Sequence, residues 1–116
     1  ALNRRPTITR QAILSVDDLT LNLDTSIVML GNREIRLTKK EFGVLEYLMR
    51  HRGTIVSRVL IMEHVWTAES DPYSNTVEAH IRNVRKKLTA HGHADLIINL
   101  PGRGYVIDTP ENLSKF

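Results

Sequence analysis

The sequence contains no cysteine, few aromatic residues and no long apolar run. The absence of cysteine excludes disulfides and thiolate metal sites. No apolar stretch approaches the roughly 18 residues of a transmembrane helix, so no membrane partner is expected. Residues 1–12 contain three cations but no apolar core, which argues against a signal peptide. These absences favour a cytoplasmic protein.

Charge is segregated along the chain, although the formal net charge is only +3. Residues 59–78 contain four carboxylates and no Lys or Arg, whereas residues 79–104 contain five cations and one carboxylate. A partner in contact with the surface responds to the local field rather than to the net charge. The basic segment is therefore a candidate for contact with an anionic partner.

One domain is expected from the length. Residues 1–12 are predicted to form a linker or tail, residues 13–110 the domain, and residues 111–116 a C-terminal tail. Alternating apolar residues between positions 13 and 37, with a turn at Gly31-Asn32, predict three or four short antiparallel strands.

The apolar spacing changes to a helical period after residue 37. Thr38 and Glu41 have the spacing of a capping box, which predicts the start of a first helix that stops at Gly53. Ser57 is a candidate N-cap for a second helix through Trp66. A third helix is predicted over about residues 75–90, and two β-rich runs around the turn at 101–104 predict a closing hairpin.

The third helix is amphipathic. On a helical wheel, one narrow apolar stripe contains Val77, Ile81, Val84 and Leu88, and must face a core. The opposite face contains Ala79, Arg82, Asn83 and Lys86, and the flanks contain His80, Arg85 and Lys87. Arginine and asparagine recognise the edges of guanine and adenine in the major groove. The alternative is a basic face that is merely solvated.

Two helices, a loop, a basic amphipathic helix and a β-hairpin, in that order, indicate a winged helix-turn-helix. Arg103 lies between two glycines at the tip of the hairpin, where a tight turn needs positive φ. From that position Arg103 can enter a minor groove, where arginine is favoured. At the start of the third helix, Asn75 and Thr76 can hold a phosphate.

Three segments together carry a specific family resemblance. They are "LTKKEFGVLEYLMRHRGTIVSRVLIMEHVW", "NTVEAHIRNVRKKL" and "INLPGRGYVI". The chain from Ile13 to about Asp108 resembles the DNA-binding effector domain of OmpR/PhoB-family two-component response regulators. The resemblance implies an α+β winged helix-turn-helix with an N-terminal antiparallel sheet, three helices and a C-terminal hairpin wing. The implied function is sequence-specific binding of duplex DNA by a bacterial transcriptional response regulator.

The resemblance also implies the DNA contacts. Contacts to bases or phosphates are expected from Asn75, Thr76, His80, Arg82, Asn83, Arg85, Lys86 and Lys87. Trp66 is expected either to contact a phosphate or to serve as a packing anchor. The sequence departs from the family at Asn83, where many relatives have arginine, and at Val106, where some place a wing arginine. Arg103 can take over the contact of the wing.

Partners follow from the same resemblance. Tandem binding to direct repeats is expected on DNA. The acidic residues Glu63, Glu69 and Asp71 are candidates for a contact with RNA polymerase, or else simply face solvent. The family has a receiver domain upstream, for which this chain has no room, and residues 1–12 would then be a remnant of the interdomain linker. No cofactor is expected.

Other classes of function fit the sequence less well. A metalloenzyme could use His91, His93 and Asp95, with His80, but their spacing is not a standard zinc pattern, so no metal site is expected. The serines lie in no nucleophile-elbow motif, and "GRGY" is too short for a dinucleotide loop, so the chain is not expected to be an enzyme. A protein-interaction module that reuses the winged helix remains an alternative. It would bind DNA weakly and without salt dependence.

Overall fold

A computed structural model of the chain describes residues 12–65, 77–90 and 92–116. Its first four elements are the strands β1 (Ile13–Val16), β2 (Leu19–Asn22), β3 (Ile27–Leu30) and β4 (Arg33–Ile35). They form one antiparallel sheet in the order β1-β2-β3-β4. The predicted N-terminal sheet is therefore present, and Gly31 adopts a φ of 63° in the predicted turn between β3 and β4.

The alternation of side chains gives this sheet one buried face. Leu21 pairs with Leu14 on one side and with Val28 on the other, and Val28 pairs with Ile35. Leu21, Val28 and Ile35 are each at most 6% exposed. Since side chains two residues apart point to the same face of a strand, this row joins the core while the intervening residues face outward.

Helix α1 (Lys39–Arg50) begins with the predicted capping box. The Thr38 hydroxyl accepts a hydrogen bond from the N–H of Glu41 at 3.2 Å, and the Glu41 carboxylate accepts one from the N–H of Thr38 at 3.0 Å. The helix ends before Gly53, whose N–H donates to the carbonyl of Ile107 at 2.9 Å. The end of α1 is thereby tied to the C-terminal hairpin.

Two further helices, α2 (Arg58–Val65) and α3 (Val77–Thr89), pack against α1 and against each other. The Ser57 hydroxyl caps α2, because it accepts a hydrogen bond from the N–H of Leu60 at 3.2 Å. The second helix therefore begins where the sequence predicts. Helix α3 lies within the predicted range of about 75–90, whose first two residues fall outside the described part of the chain.

The wing is the hairpin of β5 (Ile97–Leu100) and β6 (Gly104–Ile107). Val56, just before α2, pairs with Tyr105 through two backbone hydrogen bonds of 2.8 Å. Gly104 has a φ of 139°, and a Cβ at this position would fall on the carbonyl of Val56. Glycine is therefore required here for the close approach of the two backbones.

The chain closes with a short helix, α4 (Pro110–Leu113), capped by the Thr109 hydroxyl. The sequence predicts a C-terminal tail over residues 111–116, and the structure adds this turn of helix at its start. Leu113 is buried, and the Asp108 carboxylate accepts hydrogen bonds from Arg52 at 2.8 Å and from the Asn112 amide at 3.1 Å. These contacts attach the start of the segment to the domain.

Candidate nucleic-acid interface

The rotation of α3 about its own axis is set by its apolar stripe. Val77, Ile81, Val84 and Leu88 are each at most 2% exposed, as the helical wheel predicts. On the opposite side, Arg82 and Lys86 are exposed and Asn83 is partly exposed. Arg82 and Lys86 are four residues apart, so they lie one turn from each other on the same face of the helix. This face is the candidate surface for DNA.

Arg82 and Lys86 form no ion pair within 4.0 Å with any carboxylate in the described residues. Arg85 differs, because its guanidinium donates two hydrogen bonds to the Asp95 carboxylate, at 2.7 and 3.0 Å. The same carboxylate accepts the N–H of Ile97 at 3.2 Å. Arg85 therefore fixes the segment that leads into β5.

Lys87 is also engaged within the domain. Its ammonium donates to the Glu41 carboxylate at 2.7 Å and to the carbonyl of Arg36 at 2.9 Å. Burial alone would raise the pKa of Glu41, but the hydrogen bonds from Lys87 and from the Thr38 N–H outweigh it and hold that pKa below its ordinary value. Lys87 therefore joins α3 to the start of α1.

His80 was predicted as a DNA contact, but the structure places it in the interior. It is only 8% exposed. Burial lowers the pKa of His80 from its ordinary value, with the nearby Glu41 opposing that shift. An imidazole this buried is not presented to a phosphate, so His80 does not belong to the exposed face of α3.

A shallow groove of about 340 Å³ separates α3 from the wing. Its lining consists of Glu78, Ile81, Arg82, Arg85, Asn99 and Tyr105. A second groove of about 390 Å³ continues along the wing and contains Arg58 and Arg103. Arg103 is exposed in the turn between β5 and β6, so it lies at the outer end of this surface.

Glu78 also lines this groove, although the sequence analysis predicted no role for it. Its carboxylate accepts a hydrogen bond from the Arg58 guanidinium at 2.7 Å. Burial raises the pKa of Tyr105, and the neighbouring carboxylate of Glu78 raises it further. Glu78 thus links α3, α2 and the wing. The sequence does single it out, because Glu78 is the one carboxylate among the basic residues of the third helix.

The family of this chain follows from comparison with known proteins. The family described as "Transcriptional regulatory protein, C terminal" matches residues 32–107. The chain belongs to this family. The predicted identification as an OmpR/PhoB-type effector domain is confirmed, and the chain is a DNA-binding domain of a transcriptional regulator rather than an enzyme.

Individual relatives agree with this family. The chain is 35% identical to the transcriptional regulatory protein CutR of Streptomyces coelicolor over 107 residues, which are 92% of this chain and 48% of CutR. It therefore spans about half the length of the curated relatives it matches.

Two solved structures are similar as well. The DNA-binding domain of CpxR from E. coli has 33% identity and a TM-score of 0.68, with 83% of this chain and 95% of that chain covered. The RstA DNA-binding domain of Klebsiella pneumoniae, solved in complex with the RstA box, has 26% identity and a TM-score of 0.69, with 83% and 96% covered. The α+β winged-helix fold predicted from the sequence is therefore confirmed.

Several predicted residues of this effector domain lie outside the described part of the chain. They are Trp66, Glu69, Asp71, Asn75, Thr76 and His91. Glu63 is described, and it is exposed on α2. No helix within residues 12–65, 77–90 and 92–116 is long and apolar enough to cross a membrane.

Among the residues that the structure describes, the candidate metal ligands His80, His93 and Asp95 do not come together. Asp95 pairs with Arg85, and His80 is buried beside Glu41. His93 instead faces the turn between β1 and β2, where it lies 3.5 Å from Asp17 and 3.7 Å from Asp18.

We predict that Lys87→Met destabilises the domain at pH 7 by about 1–2 kcal/mol, because it leaves the buried Glu41 carboxylate without its cation. The folded-state pKa of Glu41 is lowered, so its contribution is present above about pH 4.5 and is lost as pH falls through the folded pKa. The difference from the unsubstituted chain should therefore shrink between pH 7 and pH 3.5, as measured by urea unfolding.

The matched control is Lys86→Met, one residue earlier on the exposed side. It should change stability by less than about 0.5 kcal/mol at either pH. Equal losses for the two variants, or a loss for Lys87→Met that is independent of pH, would contradict a structural role for Lys87.

Proposed function

We propose that the effector domain binds duplex DNA with α3 in the major groove and the wing at the minor groove or the backbone. The observation that carries this proposal is the exposure of Arg82 and Lys86, one turn apart, on the side of α3 opposite its buried stripe. Arg103 extends the same cationic surface at the tip of the wing. A helix of this kind fits the width of the major groove.

The side chains of this surface divide into two roles. Arg82 and Asn83 are the proposed base contacts, because a guanidinium matches guanine and an amide matches adenine. Lys39, Lys86 and Arg103 are exposed and are proposed to neutralise phosphates. Lys40 and Arg58 are proposed to do the same, and Arg58 would first have to exchange its Glu78 partner for a phosphate. Trp66, Asn75 and Thr76 remain predicted contacts.

Arg85 and Lys87 take a different place in this proposal. Each is held by an intramolecular carboxylate, so each positions α3 rather than contacting DNA directly. The wing and α3 are connected through Glu78, whose carboxylate lies between Arg58 and Tyr105. The DNA surface is thereby organised by residues that do not themselves recognise bases.

For the whole protein, we propose a bacterial, cytoplasmic two-component response regulator in which this chain is the effector half. The chain spans 48% of CutR, which leaves length for a receiver domain in a protein of that size. Tandem binding to direct repeats is the arrangement that we propose on DNA. Control by phosphorylation would then act through the receiver domain.

The proposed DNA binding is tested by selection from a random duplex library, followed by titration of the selected site and a scrambled site across salt concentrations. We expect a direct-repeat motif, tighter binding to it than to the scrambled site, and a slope of log K against log salt of about −3 to −5 per domain. The slope follows from neutralisation of about four phosphates.

Other outcomes would lead to different conclusions. A steep salt dependence with no difference between the two sites would reduce the domain to a nonspecific DNA binder. Absence of binding at low salt would favour the alternative of a protein-interaction module. A selected motif with a single half-site would contradict tandem binding to direct repeats.

We predict that Arg82→Ala weakens binding to the selected site by roughly 5- to 150-fold, equivalent to about 1–3 kcal/mol, and relaxes the base preference at one position. Binding to scrambled DNA should fall much less. Titration by fluorescence anisotropy gives both values. Lys86→Ala is the matched control, and it should weaken both duplexes by a similar factor. If Arg82→Ala lowered the affinity for both duplexes equally, Arg82 would not be a base contact.

We also propose that the acidic side of the effector domain, represented by Glu63, contacts RNA polymerase. Glu63 is exposed, and the chain from 59 to 78 contains no Lys or Arg. Glu63→Lys should alter transcription from a promoter with the selected site while DNA occupancy is unchanged, measured with purified bacterial polymerase. Glu34→Lys, an exposed carboxylate on β4, is the control. If Glu63→Lys and Glu34→Lys gave the same level of transcription, the proposed contact of Glu63 with polymerase would be excluded.

A further inference from the structure

Three potential metal ligands meet at a position that the DNA-binding proposal does not use. Asp17 and Asp18 form the turn between β1 and β2, and His93 follows the last turn of α3. The His93 Nε2 atom lies 3.5 Å from an oxygen of Asp17 and 3.7 Å from an oxygen of Asp18. The three ligand atoms all lie within 4.8 Å of one another.

The orientation of the His93 ring is fixed by its other nitrogen. Nδ1 lies 2.8 Å from the carbonyl oxygen of Ala94. A carbonyl only accepts hydrogen bonds, so Nδ1 must carry the proton and donate it. Nε2 is therefore the nitrogen directed at the two carboxylates. This arrangement, with one ring nitrogen donating to a carbonyl, is the one that orients histidine ligands in metal sites.

The backbone that carries the two aspartates is also fixed. Asp17 adopts a φ of 56°, and the carbonyl of Asp18 accepts a hydrogen bond from the N–H of Gly31 at 2.9 Å. On both sides of the turn the strands are paired, with Val16 opposite Leu19. The two loops therefore bring their ligands together from separate parts of the fold, rather than from one flexible segment.

The distances between the three ligand atoms leave room for one metal ion among them. Two carboxylates and an imidazole nitrogen repel each other unless a cation or a proton lies between them. An N–H···O hydrogen bond has a separation of about 2.7–3.2 Å, which is shorter than either distance here. Ligands about 2.0–2.1 Å from a tetrahedral zinc ion are roughly 3.4 Å from each other. The observed 3.5 and 3.7 Å match ligands that share one metal ion, and they also lie within the 4.0 Å range of an ion pair with a protonated imidazole.

We propose that Asp17, Asp18 and His93 form a binding site for a divalent transition metal of the zinc class, with water completing the coordination. A mixed set of imidazole and carboxylate ligands favours zinc or cobalt over magnesium, which prefers oxygen alone. The bound metal would cross-link the β1–β2 turn to the segment between α3 and the wing. It would therefore stabilise the N-terminal sheet against the half of the domain that carries the DNA surface.

The test begins with the metal-free chain, which is titrated with ZnCl₂ and, separately, with CoCl₂. One zinc ion per chain should bind, and the Tm should rise by roughly 5–15 °C when zinc exceeds its dissociation constant a hundredfold. Cobalt should give the visible absorption of a bound, low-symmetry site. Magnesium at the same concentration should leave the Tm unchanged. No zinc-dependent change in the Tm of the unsubstituted chain would overturn the proposal.

Variants then locate the site. His93→Gln and Asp17→Asn should abolish the zinc-dependent rise in Tm, and asparagine tolerates the positive φ at position 17. Asp18→Asn is a third variant at an exposed position, in case either of the others fails to fold. The matched control is His64→Gln, since His64 lies 3.7 Å from a single carboxylate, that of Glu46. Retention of the zinc effect in His93→Gln, or its loss in His64→Gln, would contradict the assignment.

Discussion

Burial of the apolar stripe of α3 is the constraint on which the rest of the structure depends. Val77, Ile81, Val84 and Leu88 are all removed from solvent, and together they fix the rotation of the helix about its axis. Once this rotation is fixed, the positions of all other side chains of α3 are determined to within their own rotamers. The DNA-binding surface is therefore a consequence of hydrophobic packing on the other side of the same helix.

The cations of α3 are divided by the partners that the fold supplies. Arg85 and Lys87 flank the stripe and reach Asp95 and Glu41, so their charge is used to hold α3 against neighbouring segments. Arg82 and Lys86 are directed away from the core and remain on the exposed face. A count of basic residues along the helix overestimates the charge offered to DNA, because it does not distinguish these two groups.

Backbone contact and the Glu78 carboxylate connect the wing to the helices. Tyr105 pairs with Val56, and the absence of a Cβ at Gly104 allows the two backbones to approach. Glu78 connects this hairpin to α2 and α3 through Arg58 and Tyr105. The spacing between Arg82 on α3 and Arg103 on the wing is set in this way by residues that lie between them.

The sequence by itself determined the features that depend on near neighbours along the chain. The capping box of Thr38 and Glu41 and the apolar period of α3 were predicted correctly, because hydrogen bonds and helical faces repeat within a few residues. The motifs also identified the family, since they combine several such local patterns.

Only the tertiary structure decided which side chains meet across the fold. Lys87 binds Glu41, which is 46 residues away in the sequence, and Arg58 binds Glu78, which is 20 residues away. His93 contacts the β1–β2 turn. The helical wheel also did not predict the burial of His80, because the wheel places this residue at the flank of the apolar stripe. Such contacts depend on how whole helices and strands pack, and packing is a property of the complete core rather than of any short segment.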